Sequence, residues 1–174
     1  ISIQNWDEKD YIVLRNLGQS SSSLVQLIYH IKNKELYAIK MFIHNTKEFD
    51  KLYKRELNNY KTINYEHIPK LYAVDNNHNL FIQFINGKTL TDINLSKFSF
   101  NKKIQIIFQI LKIFKYLHEN NFVYRDIKPN NIIIENKTNK VYIIDFDRMV
   151  KIHYPFDNDE ITKDFGTCFF DLEA

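Results

Sequence analysis

Cysteine is almost missing from this chain: Cys168 stands alone among 174 residues. One thiol closes no internal disulfide and builds no CxxC metal site. That excludes a disulfide-stapled secreted scaffold and points to a reducing, intracellular, cytoplasmic setting. Glycine and proline number three each, too few for long flexible or proline-stiffened linkers. No run approaches the roughly 18 consecutive apolar residues of a membrane-spanning helix, so no membrane span is expected. The first residue is Ile1, without a signal-peptide pattern behind it, and the start reads as a cut or processed end. Charge is not concentrated either. The net charge is +3, with Lys and Arg scattered rather than gathered into a basic block with interleaved aromatics. A solvated basic surface accounts for this, and no specific nucleic-acid binding is expected.

What is present suffices for a core. Hydrophobic residues make up 44% of the chain and aromatics 15%. The length suits one domain, or a two-lobed domain cut short. Residues 11–17, 24–31 and 36–43 read as strands, the second and third joined by the polar turn Lys32-Asn33-Lys34. A helix is predicted from a cap at Asn45 or Thr46 to about Ile63, because Phe49, Leu52, Tyr53, Leu57 and Tyr60 recur at helical spacing. Residues 71–74 and 80–85 read as two further strands around a turn at 75–79. Gly87 reads as a break, and a second, mainly helical region starts near Ser99. There Ile104, Ile107, Phe108, Leu111, Phe114 and Leu117 form a wide stripe expected to face a core. Apolar runs at 132–134 and 141–144 flank a polar turn at 136–139.

One stretch carries chemistry: Tyr124-Arg125-Asp126-Ile127-Lys128-Pro129-Asn130-Asn131, followed after the two apolar runs by Asp145-Phe146-Asp147. Phosphoryl transfer needs a carboxylate beside the attacking hydroxyl, cations to spread phosphate charge, and oxygen ligands for magnesium. The stretch resembles the catalytic loop and metal-binding motif of eukaryotic-type protein kinases, and the likeness extends from about residue 11 to 174. The resemblance implies an α+β fold of two lobes. The first, residues 1–86, would hold a five-stranded antiparallel sheet with one helix; the second, 87–174, would be helical and incomplete. It implies ATP and magnesium as the bound species. Asp126 would orient or deprotonate the substrate hydroxyl and Lys128 neutralise the transferred phosphate. Asn131 and Asp145 would be the magnesium ligands, brought together by the intervening hairpin.

Further upstream, Ala38-Ile39-Lys40 is similar to the family's strand motif, whose Lys contacts the nucleotide phosphates. Glu56, or alternatively Glu48, would be its ion-pair partner. Gly18-Gln19-Ser20-Ser21-Ser22-Ser23-Leu24-Val25 resembles the family's phosphate loop with one glycine kept. Serines stand where glycine would supply close approach and tolerance of positive φ. Gly18, Ser20, Ser23, Val25, Ala38, Gln83 and Ile85 complete the nucleotide-binding set, with Gln83-Phe84-Ile85 as the segment that reads adenine. His118 reads as structural.

Three departures stand out. Tyr124 replaces the usual His and removes an imidazole hydrogen bond. Asp147 replaces the usual Gly and its backbone freedom. Gly166-Thr167-Cys168-Phe169-Phe170 resembles the end of an activation segment, with Thr162 and Thr167 as candidate phosphorylation sites and no A-P-E string after it. The leading expectation is a serine/threonine-type kinase acting on a protein substrate. The alternatives are a kinase-fold enzyme acting on a small-molecule hydroxyl and a nucleotide-binding pseudokinase module. The helices that complete the second lobe in the resembled family are missing from this sequence, so a partner or further chain is expected to cover its apolar surface.

Overall fold

The computed structural model describes residues 3–43 and 47–152. The chain forms two compact units, Ile1–Asn86 and Gly87–Ala174. The first is built on a sheet of β1 (Gln4–Asn5), β2 (Tyr11–Gln19), β3 (Ser23–His30), β4 (Glu35–Phe42), β5 (Leu71–Val74) and β6 (Leu80–Gln83), with α1 (Lys47–Thr62) between β4 and β5. Its order is β1-β5-β6-β4-β3-β2. The five expected strands pair antiparallel, and β1 adds a sixth, parallel to β5, that the sequence did not announce. A two-residue strand carries too little alternation to be seen in a sequence.

The period of two sorts this sheet into two faces. Trp6, Ile28, Tyr37, Ile39, Ala73 and Phe81 form one buried core cluster. Trp6 sits 4.9 Å from the Tyr37 ring and 5.0 Å from Phe81, each at a steep angle. Edge-to-face pairs of this kind add about 0.5–1.5 kcal/mol beyond the area they bury. The alternate residues of β3, β4 and β6 share the opposite face: Val25 lies across from Lys40, Leu27 from Ala38, and Ala38 from Ile82. The predicted strand at 80–85 ends at Gln83, leaving Ile85 outside it. The predicted caps Asn45 and Thr46 lie outside the described residues.

In the second unit, α2 (Phe100–Glu119) is capped by Ser99, whose side chain accepts the Lys102 N–H. Asn121 ends it in the left-handed region, at φ 63°, where glycine is more usual. Short strands surround it: β7 (Gly87–Thr89), β8 (Phe122–Val123), β9 (Ile132–Glu135), β10 (Val141–Ile143) and β11 (Val150–Lys151). They pair as β10-β9-β7 and β11-β8. A mainly helical region was expected here; among the described residues its helix is α2, and the short strands around it, apart from the β9–β10 hairpin, are what the expectation did not include. Gly87, read as a break, instead opens β7, opposite Glu135. A Cβ there would lie 2.3 Å from the Ile134 carbonyl oxygen, so β7 reaches β9 because glycine leaves the space.

The α2 stripe is corrected in part: of its predicted residues Leu117 is buried and Ile104 and Phe114 are half-buried. Ile106, Ile113 and Leu117 are its buried residues, whereas Ile107, Phe108 and Leu111 stand exposed. The helix is apolar on two faces, and periodicity cannot say which of them a sheet will cover.

Candidate active site

The first unit gathers the residues proposed for nucleotide. Lys40 is only 3% exposed, and its Nζ meets Glu56 Oε2 at 2.6 Å on α1. Glu48, the other candidate, is exposed in the first turn of α1. An ammonium can stay charged at that depth only with a partner, and Glu56 is fully buried beside it. Gly18 lies opposite Val25, which lies opposite Lys40, so the loop, the strand and the Lys are in register. A Cβ on Gly18 would touch nothing, and its φ is not left-handed. Glycine at 18 therefore answers no need of the chain's own packing. None of Ser20, Ser21, Ser22 and Ser23 has positive φ either, so the strain expected of serine does not arise.

Ser20 organises the loop. Its Oγ accepts the N–H of Ser22 at 3.2 Å and that of Ser23 at 3.0 Å, while its own N–H donates to the Ser23 carbonyl at 2.8 Å. At the other end of the sheet, the Gln83 N–H donates to the Lys70 carbonyl at 2.8 Å. The Gln83 side-chain Oε1 in turn accepts the Lys70 N–H at 3.3 Å.

The second unit gathers the residues proposed for catalysis. The catalytic loop leaves β8 and enters β9, and the Asp145 segment leaves β10 and enters β11. Both are therefore held at each end by the strand pairs β8–β11 and β9–β10. Asp126 Oδ2 accepts from Lys128 Nζ at 2.8 Å and from Asn131 Nδ2 at 2.8 Å. Asn131 Nδ2 also donates to the Asp126 carbonyl at 3.0 Å. Both contacts fall on Oδ2, and neither uses Oδ1. The amide of Asn131, 4% exposed, is turned so that its donors serve Asp126, and its oxygen is the group left for a cation. The Ile144 N–H donates to the Asn131 carbonyl at 3.0 Å, one residue from Asp145. A neutral amide oxygen and a carboxylate at such adjoining backbone positions are the hard oxygen donors that suit magnesium.

Positive φ falls on Arg125, at 64°, and on Asp145, at 69°. Asp147 is not among the left-handed residues, so the glycine freedom expected to matter at 147 is not needed there. It is instead buried, at 4% exposure, in a turn closed by the Met149 N–H on the Phe146 carbonyl. Tyr124 brings its own hydrogen bond in place of the lost imidazole: its hydroxyl donates to the Ile144 carbonyl, next to Asp145. Its ring packs edge-on to Phe146 at 5.7 Å. Arg125 Nε donates to the Arg148 carbonyl at 2.9 Å, tying the catalytic loop to the segment after Asp145.

The sequence did not flag Thr91, whose hydroxyl donates to Asn130 Oδ1 across 39 residues; no local pattern connects such distant positions. Thr162, Thr167, Cys168 and the 166–170 string lie outside the described residues.

The protein kinase domain family model matches residues 11–170. The chain belongs to the protein kinase family. Among curated relatives, this kinase domain is 30% identical over 148 residues to myosin light chain kinase A of Dictyostelium discoideum, covering 80% of this chain and 50% of that one. Two proteins described as probable serine/threonine-protein kinases of the same organism are similar as well. One is 28% identical over 172 residues, 88% of this chain and 23% of its own. The other is 29% identical over 148 residues, 72% and 40% respectively. The kinase domain thus spans half or less of the length of these relatives. No helix among its described residues is long and apolar enough to cross a membrane.

Proposed function

We propose that this kinase domain binds ATP with magnesium and transfers the terminal phosphoryl group to a serine or threonine hydroxyl of a protein substrate. The observation that carries the reading is the Asp126 carboxylate, held through Oδ2 by Lys128 and Asn131 while Oδ1 stays available. In this reading Oδ1 accepts the hydroxyl proton as the oxygen attacks the phosphorus and the bond to the nucleoside diphosphate breaks. Lys128, half exposed, would follow the negative charge that moves onto the transferred group. Asn131 and Asp145 would hold magnesium, which when bound neutralises charge on the phosphate oxygens. Lys40, kept in place by Glu56, would bind the α- and β-phosphates. Gly18, Ser20, Ser23, Val25 and Ala38 would line the phosphate and base region, with Gln83 and Ile85 reading adenine. The serine/threonine class rests on Lys128 and on the names of the relatives.

The test is phosphate incorporation into a generic basic protein by wild type and by Asp126→Asn, beside calorimetry of ATP binding. Turnover should fall by about 10²-fold or more, the scale of a lost general base, while ATP affinity stays close to wild type. Undiminished turnover in Asp126→Asn would remove Asp126 from the chemistry. Free sugars offered in place of the protein separate a protein kinase from a small-molecule kinase.

A further inference from the structure

The loop 20–23 makes hydrogen bonds that oppose its proposed task. A loop that cradles phosphate needs backbone N–H groups pointing at the anion. Here two of those donors, on Ser22 and Ser23, already converge on one oxygen, Ser20 Oγ, at 3.2 and 3.0 Å. Two N–H groups meeting at a single acceptor is the arrangement an anion would otherwise complete. The same hydroxyl has one proton to give and three oxygens within reach: Ser22 Oγ at 3.2 Å, Ser23 Oγ at 3.1 Å and the Ser23 carbonyl at 3.4 Å. Its hydrogen-bonding capacity is therefore full without any ligand.

We propose that Ser20 occupies the anion seat of its own loop, so that a nucleotide phosphate must displace its hydroxyl from the Ser22 and Ser23 amides. The proposal rests on the nucleotide-binding reading above and adds to it a specificity device. A phosphate oxygen is charged and makes the stronger, charge-assisted bond, so it wins the exchange. A neutral hydroxyl or a weak acceptor does not. The occupied seat lowers apparent affinity by the fraction of time the donors are taken. It also keeps the loop ordered, without glycines, until phosphate arrives. Ser20 is exposed and free to turn away, whereas Ser23 is buried and stays with the sheet.

Ser20→Ala removes the competing oxygen and keeps the Cβ. Calorimetry should show ATP with magnesium binding about tenfold tighter, the scale of two modest hydrogen bonds no longer broken. Adenosine, which has no phosphate, should bind wild type and variant alike. Ser20→Thr, which restores an oxygen, should return ATP affinity to the wild-type range. Amide hydrogen exchange gives a readout independent of turnover. In the free protein the Ser22 and Ser23 amides should exchange faster in Ser20→Ala than in wild type, and ATP should protect them in both. Equal or weaker ATP binding by Ser20→Ala, with wild type binding ATP normally, overturns the competitor role alone. Absence of ATP binding by wild type overturns the nucleotide reading and this proposal with it.

Discussion

His30 shows how much a single buried side chain can decide. The Asn33 N–H donates to its Nδ1 at 3.1 Å, so the ring proton sits on Nε2, which is buried without a hydrogen-bond acceptor. Trp6 covers the ring at a centroid distance of 4.1 Å, Tyr37 lies beyond it, and Tyr11 and Glu35 are its cross-strand neighbours. Burial lowers its pKa below the ordinary 6.5; Asp10 opposes the shift and Lys32 reinforces it. The sign follows from which state holds the proton. Below 6.5 the unfolded chain binds a proton that the folded one resists, so this contribution is complete above that pH and is lost as pH falls. Thermal or urea unfolding followed from pH 7.5 to 5 should show stability declining below about 6.5 by at most ~1.4 kcal/mol per pH unit from this group. His30→Phe, if it folds, should flatten that part of the profile. An unchanged slope in the variant would assign the acid sensitivity elsewhere. The buried Lys40–Glu56 pair belongs to the same scale. A lysine at the end of an apolar strand with a glutamate in the next helix was visible in the sequence. The sequence favoured Glu56, in the middle of the helix beside Leu52 and Leu57, over Glu48, and the turn of α1 that faces the sheet brings Glu56 to the lysine.

Among the elements, the two described glycines make a direct comparison. Gly87 carries a close approach between β7 and β9, where a Cβ would sit 2.3 Å from a backbone oxygen. Backbone cannot swing aside as a flexible side chain can. Gly87→Ala should therefore cost about 1–3 kcal/mol, the usual scale for overpacking, read as a lower denaturation midpoint with little change in m-value. Gly18 in β2 meets nothing at all. Gly18→Ala should leave stability within about 0.5 kcal/mol of wild type, yet weaken ATP binding if the strand end lies against phosphate. A large loss of stability at 18, or none at 87, would contradict the packing described. The catalytic loop and the Asp145 segment show the same logic in strands. The pairing of β8 with β11 and of β9 with β10 sets where Asp126, Asn131 and Asp145 can be. The β9–β10 hairpin was legible as two apolar runs around a polar turn; two-residue strands such as β8 and β11 leave no readable period, so that pair was not legible although the residues it holds were.

At the scale of the whole molecule, the described residues leave one helix with a broad apolar face exposed. On α2, Phe100 is 75% exposed, Phe108 59%, Leu111 57% and Ile107 49%. Fully burying one such side chain contributes about 1.5–3 kcal/mol, so covering this half-exposed face would yield a substantial part of that at each position. Contiguous apolar patches of this kind mark association surfaces or aggregation liabilities. The chain should therefore self-associate as its concentration rises, seen as a concentration-dependent sedimentation coefficient. Phe108→Glu combined with Leu111→Lys should shift it towards monomer while leaving ATP affinity unchanged. A monodisperse monomer for wild type across the concentration series would show the face to be benign.

By itself the sequence determined the family, the residue types able to do chemistry, the strands β2 to β6 with their helix, the helix that starts at Ser99, and the β9–β10 hairpin. Those features rest on local patterns: the Arg125–Asn131 string, the period of two in strands, the three- and four-residue steps of α1. Tertiary structure alone decided the rest. It placed Trp6 and β1 against β5, turned Asn131 so that its donors hold Asp126, and moved positive φ to Asp145 rather than Asp147. It also chose which apolar face of α2 is buried. Each of these depends on which distant group arrives at a given backbone position, and a sequence pattern records only what one segment needs, not which neighbour supplies it.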